Sequence, residues 1–449
     1  MLQNEEKNNL FTVRSLAVLV LPLMVEQFLG ITVGLADNIM ISSAGEAAVS
    51  GISLVDMVNN LMLTIVNAFA TGGAVVCSQY TGSKKPEQAR RAAGQLLLVM
   101  ITFALIFMGI MLIFGRSILT ALYGASDVEV MEAAFDYATY IYIAFPFFGI
   151  YGCCAAIFRS MGDSKSSMRI ALLMNVINVI GNAILIYGFN MGAGGAAIAT
   201  MGARAIGAAI MLIKLRNREN PIYLRHIRDM VPSWFLIKKI LQIGVPSGID
   251  NSLFNMGKVI VLSFITTFGT ASIMANQVAS NVSAFMLIPG NAVSLALITV
   301  VGQCIGAGRI DEARTNTRIL MAFSTAAGLL IGGITVMFSG PLLGVFHMSQ
   351  ISADISGRLI LYHTIANLIW AFAFNLPNSL RAGNDARFVM LISIASMWIF
   401  RVGLSYVLGV TLGLGVYGVW FGMFTDWVAR GMAFFIRYRG SKWYSQKLI

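Results

Sequence analysis

Along the chain, long apolar runs alternate with short polar interruptions. No Asp, Glu, Lys or Arg falls within 57–83, 92–115, 137–158, 170–203, 319–353, 359–380 or 402–425, and the run 259–308 is long enough for the end of one helix and all of the next. About 20 apolar residues span a bilayer as a helix. Turn signals divide the runs and predict twelve helices near 14–37, 49–74, 93–114, 134–158, 168–189, 196–214, 239–264, 272–297, 317–338, 358–380, 389–409 and 415–436. The first is too long for a cleavable signal and leads into further spans rather than a cleavage site. The expected fold class is an all-α polytopic membrane protein.

Composition narrows the picture further. Only 11% of the 449 residues are charged and 57% are hydrophobic, whereas soluble domains carry about a quarter charged residues. Too few charges are present to coat soluble domains, which excludes a soluble enzyme, a nucleic-acid binder, a secreted disulfide scaffold and a disordered chain. The net charge of +11 sits in the loops, where Lys and Arg orient a protein in a bilayer. With the N-terminus inside, segments from Lys7 to Lys447 place 26 of the 31 Lys and Arg on the inner side. The expectation is a multi-pass protein of the plasma (inner) membrane with both termini cytoplasmic. Its partners are then the lipid bilayer and small organic molecules, with no nucleic acid. Cys77, Cys153, Cys154 and Cys304 lack metal-ligand spacing and read as small apolar fillers. No metal site and no catalytic constellation is apparent, so the chain does not read as an enzyme.

The chain also matches itself. At an offset of 224 residues Pro22 meets Pro246, Gly45 meets Gly269, Asn67 meets Asn291, Gln79 meets Gln303 and Arg90 meets Arg314, while Glu26 meets Asp250. At 222, Arg159 and Asp163 meet Arg381 and Asp385. The repeat implies an N-lobe (1–214, helices 1–6), a basic cytoplasmic linker (215–238) and a C-lobe (239–449, helices 7–12). An even number of spans per repeat predicts two bundles related by a pseudo-two-fold axis along the membrane normal, an architecture for alternating access.

Several stretches now resemble one family. PLMVEQFLGITVGLADNIMISSAG (22–45) resembles helix 1 of the multidrug and toxic compound extrusion (MATE) transporters. GGAVVCSQYTGSKKPEQARRAAGQ (72–95) and VVGQCIGAGRIDEARTNTR (300–318) are similar to the paired loops after helices 2 and 8. FRSMGDSKSSM (158–168) and LRAGNDARFVM (380–390) are similar to those after helices 4 and 10. The resemblance is to prokaryotic members and spans nearly the whole chain. It implies antiport of H+ or Na+ against amphipathic, often cationic, organic compounds, no other cofactor, and a monomer.

Ionisable groups within a membrane are costly and mark function. Asp37 occupies the helix 1 position where the resemblance implies a cation-binding Asp. Helix 5 offers Asn175, Asn178 and Asn182, and helix 6 offers Thr200. Asn178 and Asn182, four apart, share a helix face. By resemblance Asn178 and Thr200 match the coupling set of one group of members, while Asn182 stands where those members have a second acid. Hydrogen-bonded glue between helices is the alternative for the Asn residues. The acids that other members carry on helices 7 and 10 are missing here: the helix 7 position falls near Phe254 or Asn255, and 358–380 has no acid.

Asp56, Glu26 and Asp250 are further cavity or substrate candidates. Glu26 and Asp250 either line a cavity or pair with the intramembrane cations Lys258 and Arg204. Asp426 and Arg430, four apart, read as an intrahelical pair at the cytoplasmic end of helix 12, and Arg401 has no partner near it in sequence. Pro22 and Pro246 are hinge candidates. Two functions remain from different classes: a cation-coupled multidrug exporter, and a flippase for lipid-linked saccharides, for which a strongly cationic cavity and extra helices would speak.

Overall fold

A computed structural model describes residues 9–124, 127–225, 227–346, 348–445 and 448–449. Lys7 and Lys447, which enter the charge count above, lie outside them. Among the described residues there is no strand, and twelve long helices follow one another. They are α1 (Val13–Ser42), α2 (Glu46–Gly82), α3 (Pro86–Tyr123), α4 (Val128–Ser160), α5 (Ser164–Gly188) and α6 (Gly192–Leu215). After the linker come α7 (Trp234–Thr266), α8 (Thr270–Met286 and Ile288–Gly306), α9 (Ile310–Met337), α10 (Gln350–Ala382), α11 (Ala386–Thr411) and α12 (Gly415–Arg439). Each falls on one of the twelve read from the sequence. Most are longer, because polar first and last turns extend the helix past its apolar run.

Ten of these helices are long and apolar enough to cross a membrane. The two that fall short, α7 and α12, carry Asp250, Lys258, Asp426 and Arg430. Three helices contain π-type turns: α5 at Ala183–Gly188, α10 at Ala371–Asn375, and α11 at Met397–Leu404 and Val407–Thr411. Such wide turns tend to mark functional sites. Asn182 directly precedes the first, and Arg401 lies inside the third.

The internal repeat is written in the backbone. Gly45 (φ 103°) and Gly269 (φ 87°) open α2 and α8, and Lys84 (φ 55°) and Gly308 (φ 74°) turn the chain before α3 and α9. Gly162 (φ 88°) and Asn384 (φ 72°) do so before α5 and α11, and Asn190 and Gly192 are matched by Gly413 and Gly415 before α6 and α12. These left-handed positions favour Gly or Asn; Lys84 is the exception.

The chain divides into two compact units, Val25–Gly244 and Val245–Ile449, the latter joined by the residues up to Met24. The start of α1 thus belongs to the unit built from the second repeat. Leu16, Leu19, Val20 and Leu23 are buried there in one core with Leu297 and Val300 of α8, Leu380 of α10 and Phe434 of α12. Correspondingly, the start of α7 belongs to the first repeat's unit. Its Ile240 carbonyl lies so close to Gly72 of α2 that a Cβ on Gly72 would approach it to 2.4 Å. Pro22 and Pro246 stand beside these two divisions, each inside an unbroken helix. The linker packs on the start of α3: Gln95 donates to the Val231 carbonyl (2.8 Å) and accepts from the Ser233 N–H (2.9 Å), and Arg90 pairs with Asp229 (3.1 Å).

Candidate functional site

In the unit Val25–Gly244, α1, α5 and α6 meet at Asp37. Asn182 Nδ2 donates to Asp37 Oδ1 at 2.8 Å. One turn away, the Asn178 amide is oriented by its neighbours. Its nitrogen donates to both Asp37 carboxylate oxygens (2.9 and 3.1 Å), and its oxygen accepts from the Thr200 hydroxyl at 3.1 Å. The opposite orientation would set amide oxygen against carboxylate oxygen. The 3.6-residue period of α5 lets Asn178 and Asn182 reach the same carboxylate. Both are buried, and Asn182 Oδ1 is buried with no hydrogen-bond partner among the described residues. Asn175 makes no hydrogen bond to Asp37, Asn178, Asn182 or Thr200. The arrangement gathers one carboxylate, two amides and one hydroxyl: a set able to hold a proton, or to offer oxygens to a small hard cation. Among the described residues no three His, Cys, Asp or Glu side chains come together as a metal site.

Asp56 of α2 accepts from the hydroxyl of Tyr137 on α4 at 3.2 Å. Tyr137 lies within electrostatic reach of Asp37 and Arg204 as well as of Asp56, and no signal in the sequence marked it. Arg204 of α6 forms no salt bridge among the described residues; its guanidinium lies over the Phe148 ring, 4.5 Å from the centroid.

Glu26 and Asp250 pair with neither Arg204 nor Lys258. Asp250 holds Arg381 at 2.6 Å, and Arg381 also donates to the Asn378 side chain. Glu26 lies 3.8 Å from Arg159 and accepts from the Ser167 hydroxyl at 2.9 Å. The two ion pairs are repeats of one another. Each ties the first helix of its repeat to the end of the fourth. The signal was present in the sequence, since both acids and both arginines match across the repeat, but no periodicity joins an acid to a base about 130 residues away.

In the unit Val245–Ile449, a second charged cluster forms around Asp426. Arg430 Nη2 lies 3.1 Å from its carboxylate, Arg401 Nη1 lies 3.9 Å away, and the Ser396 hydroxyl donates to it. The Asp426–Arg430 pair is therefore intrahelical as its spacing indicates. It lies deep within α12 rather than at its end, and Asp426 is fully buried. Arg401, without a neighbour in sequence, finds its partner on another helix. Phe254 of α7 lies under both guanidinium groups, 5.1 Å from Arg401 and 5.2 Å from Arg430. Lys258, one turn further along α7, is exposed and has no ion-pair partner among the described residues.

Twelve helices in two repeated units, each with an ion pair tying its first helix to its fourth, define a polytopic membrane protein of internal-repeat type. A family model described as MatE matches residues 22–184 and again 246–407. The two matches begin at Pro22 and Pro246, in the register of the repeat. Over 96% of its length the chain is 27% identical to the uncharacterized transporter YisQ of Bacillus subtilis, covering 94% of that protein. It is 26% identical to the probable multidrug resistance protein NorM of Thermotoga maritima, covering 96% of this chain and 93% of the relative. Among solved structures, the outward-facing conformation of a multidrug resistance MATE family transporter of the MOP superfamily aligns over 95% of both chains with a TM-score of 0.88 and 20% identity. The chain belongs to the MatE family, the multidrug and toxic compound extrusion transporters.

Proposed function

We propose that the protein is a cation-coupled exporter of amphipathic organic compounds, working by alternating access in the plasma (inner) membrane with both termini in the cytoplasm. The observation that carries this reading is the Asp37 site: a carboxylate held by two Asn amides, with a buried, unpartnered Asn182 oxygen beside it. With Asp37 ionised, the amides present N–H groups to it. A proton on Asp37 turns one carboxylate oxygen into a donor, for which an amide oxygen is the natural acceptor. Sodium would instead recruit the oxygens of Asn178, Asn182 and Thr200 alongside the carboxylate. A proton calls for one amide to turn its oxygen toward Asp37, and sodium draws the amide oxygens in beside the carboxylate, so loading the site rearranges the contact between α1 and α5. Pro22 and Pro246 leave α1 and α7 each without one backbone hydrogen bond, next to the divisions between units, and we assign them the role of hinges.

A relative described as a probable multidrug resistance protein supports export of several organic compounds. The 26 Met and 28 Phe residues suit a soft surface that accepts more than one of them. Asp37 and Asp56 are the groups that would attract a cationic portion of such a compound. One chain carries both repeats, so the working unit is a monomer. The family match gives no support to the flippase alternative. The test is efflux of ethidium and rhodamine B from vesicles holding the purified protein, with proton and sodium gradients imposed separately. Efflux under one gradient supports the reading and names the ion; retention of both dyes under both gradients contradicts it.

A further inference from the structure

Charge in the unit Val245–Ile449 is out of balance. Arg401 of α11 and Arg430 of α12 lie over Phe254 of α7, Lys258 stands one helical turn beyond that ring, and among the described residues the one carboxylate in contact with these cations is Asp426. Asp250 stands within electrostatic reach of Arg430 but does not make up the difference, because Arg381, held on it at 2.6 Å, is within the same reach and cancels its charge. Asp426 is itself occupied: it takes Arg430 at 3.1 Å and the Ser396 hydroxyl, leaving Arg401 at 3.9 Å. Lys258 stands within electrostatic reach of Arg401, a like charge. His363, also within electrostatic reach of Arg401, adds no negative charge. Two guanidinium groups thus share one carboxylate, with the ammonium of Lys258 unpaired among the described residues beside them. Donors are in excess as well: Arg401 Nε, Arg430 Nε and Trp427 Nε1 are buried without an acceptor among the described residues.

The aromatic rings stabilise the guanidinium groups through their faces but bring no counter-charge. Phe254 underlies both arginines, and Phe374 underlies Arg430 at 5.2 Å while stacking on Trp370 at 5.1 Å. Uncompensated cations at membrane depth mark a binding partner of opposite charge. The three are graded in access: Lys258 is exposed, the Arg401 side chain is 11% exposed and that of Arg430 4%. A ligand would meet Lys258 first and Arg401 behind it, with flat apolar rings alongside.

We infer that the Lys258–Arg401–Arg430 cluster binds the oxyanion group, a carboxylate, sulfonate or phosphate, of an amphipathic aromatic compound. Calling that compound a transported substrate rests on the export reading above; the binding site does not. A purely cationic compound gains nothing from this cluster, so compounds that carry an oxyanion beside their cationic portion are preferred over those that carry the cation alone.

The test uses one ring system with and without the oxyanion: rhodamine B, which carries a free carboxylate, and its ethyl ester. Binding to the purified full-length protein in detergent is followed by fluorescence anisotropy at neutral pH, with empty micelles subtracted. The carboxylate is expected to bind about tenfold more tightly than the ester, the size of effect one desolvated charge contact gives. Lys258→Met should shrink that ratio to about threefold or less, and Lys258→Glu should reverse it. Lys258 is exposed, so both variants retain the fold, which gel filtration checks. Equal or tighter binding of the ester to the wild type overturns the inference. A preference for the carboxylate that survives both variants overturns its assignment to this cluster. Equilibrium binding needs no ion gradient, so these outcomes are independent of whether coupled efflux occurs.

Discussion

Asp250 is 5% exposed, and Arg381 is the one cation in contact with its carboxylate among the described residues. Removing one member of a buried ion pair leaves a desolvated charge and typically costs about 3–5 kcal/mol. Arg381→Ala should therefore lower the unfolding temperature in detergent sharply. Its counterpart Arg159→Ala should cost less, about 1–2 kcal/mol. That pair is longer, both side chains are 14% exposed, and Glu26 keeps its hydrogen bond from Ser167. Equal losses in the two variants would contradict this ranking. At this scale the sequence showed the members but not the pairs. Asp426 and Arg430 were legible together because four residues bring side chains to one helix face. Asp250 and Arg381 were not, because their contact is made by the packing of helices distant in sequence. Asp37 and the amides Asn178 and Asn182 were legible only as a set; their hydrogen bonds, and the part played by Tyr137, came from the fold.

Helices and their junctions were the most legible elements, since long uncharged runs fix a membrane helix almost alone. The departures have local causes. The helix read across 272–297 breaks at Leu287, two residues before Pro289, whose missing N–H stands in the first turn of the next segment. The π-type turns of α5, α10 and α11 carry no sequence signature. The left-handed turns of the two repeats give a direct comparison. Gly308→Ala should cost about 1 kcal/mol, while Lys84→Gly should be neutral or stabilising, because Lys84 already adopts a positive φ. Thermal unfolding of the two variants checks this, and a loss on Lys84→Gly would count against it. Gly72→Ala should destabilise more strongly, by about 1–3 kcal/mol, because the added Cβ meets the backbone oxygen of Ile240 and neither helix can yield a side chain to relieve it. Unchanged unfolding of that variant would mean that the start of α7 is not held against α2.

For the whole molecule, two units with the same helix order carry different chemistry. In Val25–Gly244 the site is a carboxylate with amide and hydroxyl partners, suited to taking up and releasing a small cation. In Val245–Ile449 the charged cluster is one buried carboxylate, Asp426, with the guanidinium groups of Arg401 and Arg430 against it. The central claim is that Asp37 couples ion movement to export. Asp37→Asn keeps the shape of the site while removing its charge, and it turns one acceptor oxygen into a donor, as a permanently bound proton would. Gradient-driven efflux of ethidium and rhodamine B from vesicles, compared between the wild type and Asp37→Asn at matched incorporation, tests the claim most directly. The account predicts that the variant, still folded, loses driven efflux by at least about tenfold, because the interaction removed is required at every cycle. Efflux in Asp37→Asn that still responds to the gradient as the wild type does would contradict it.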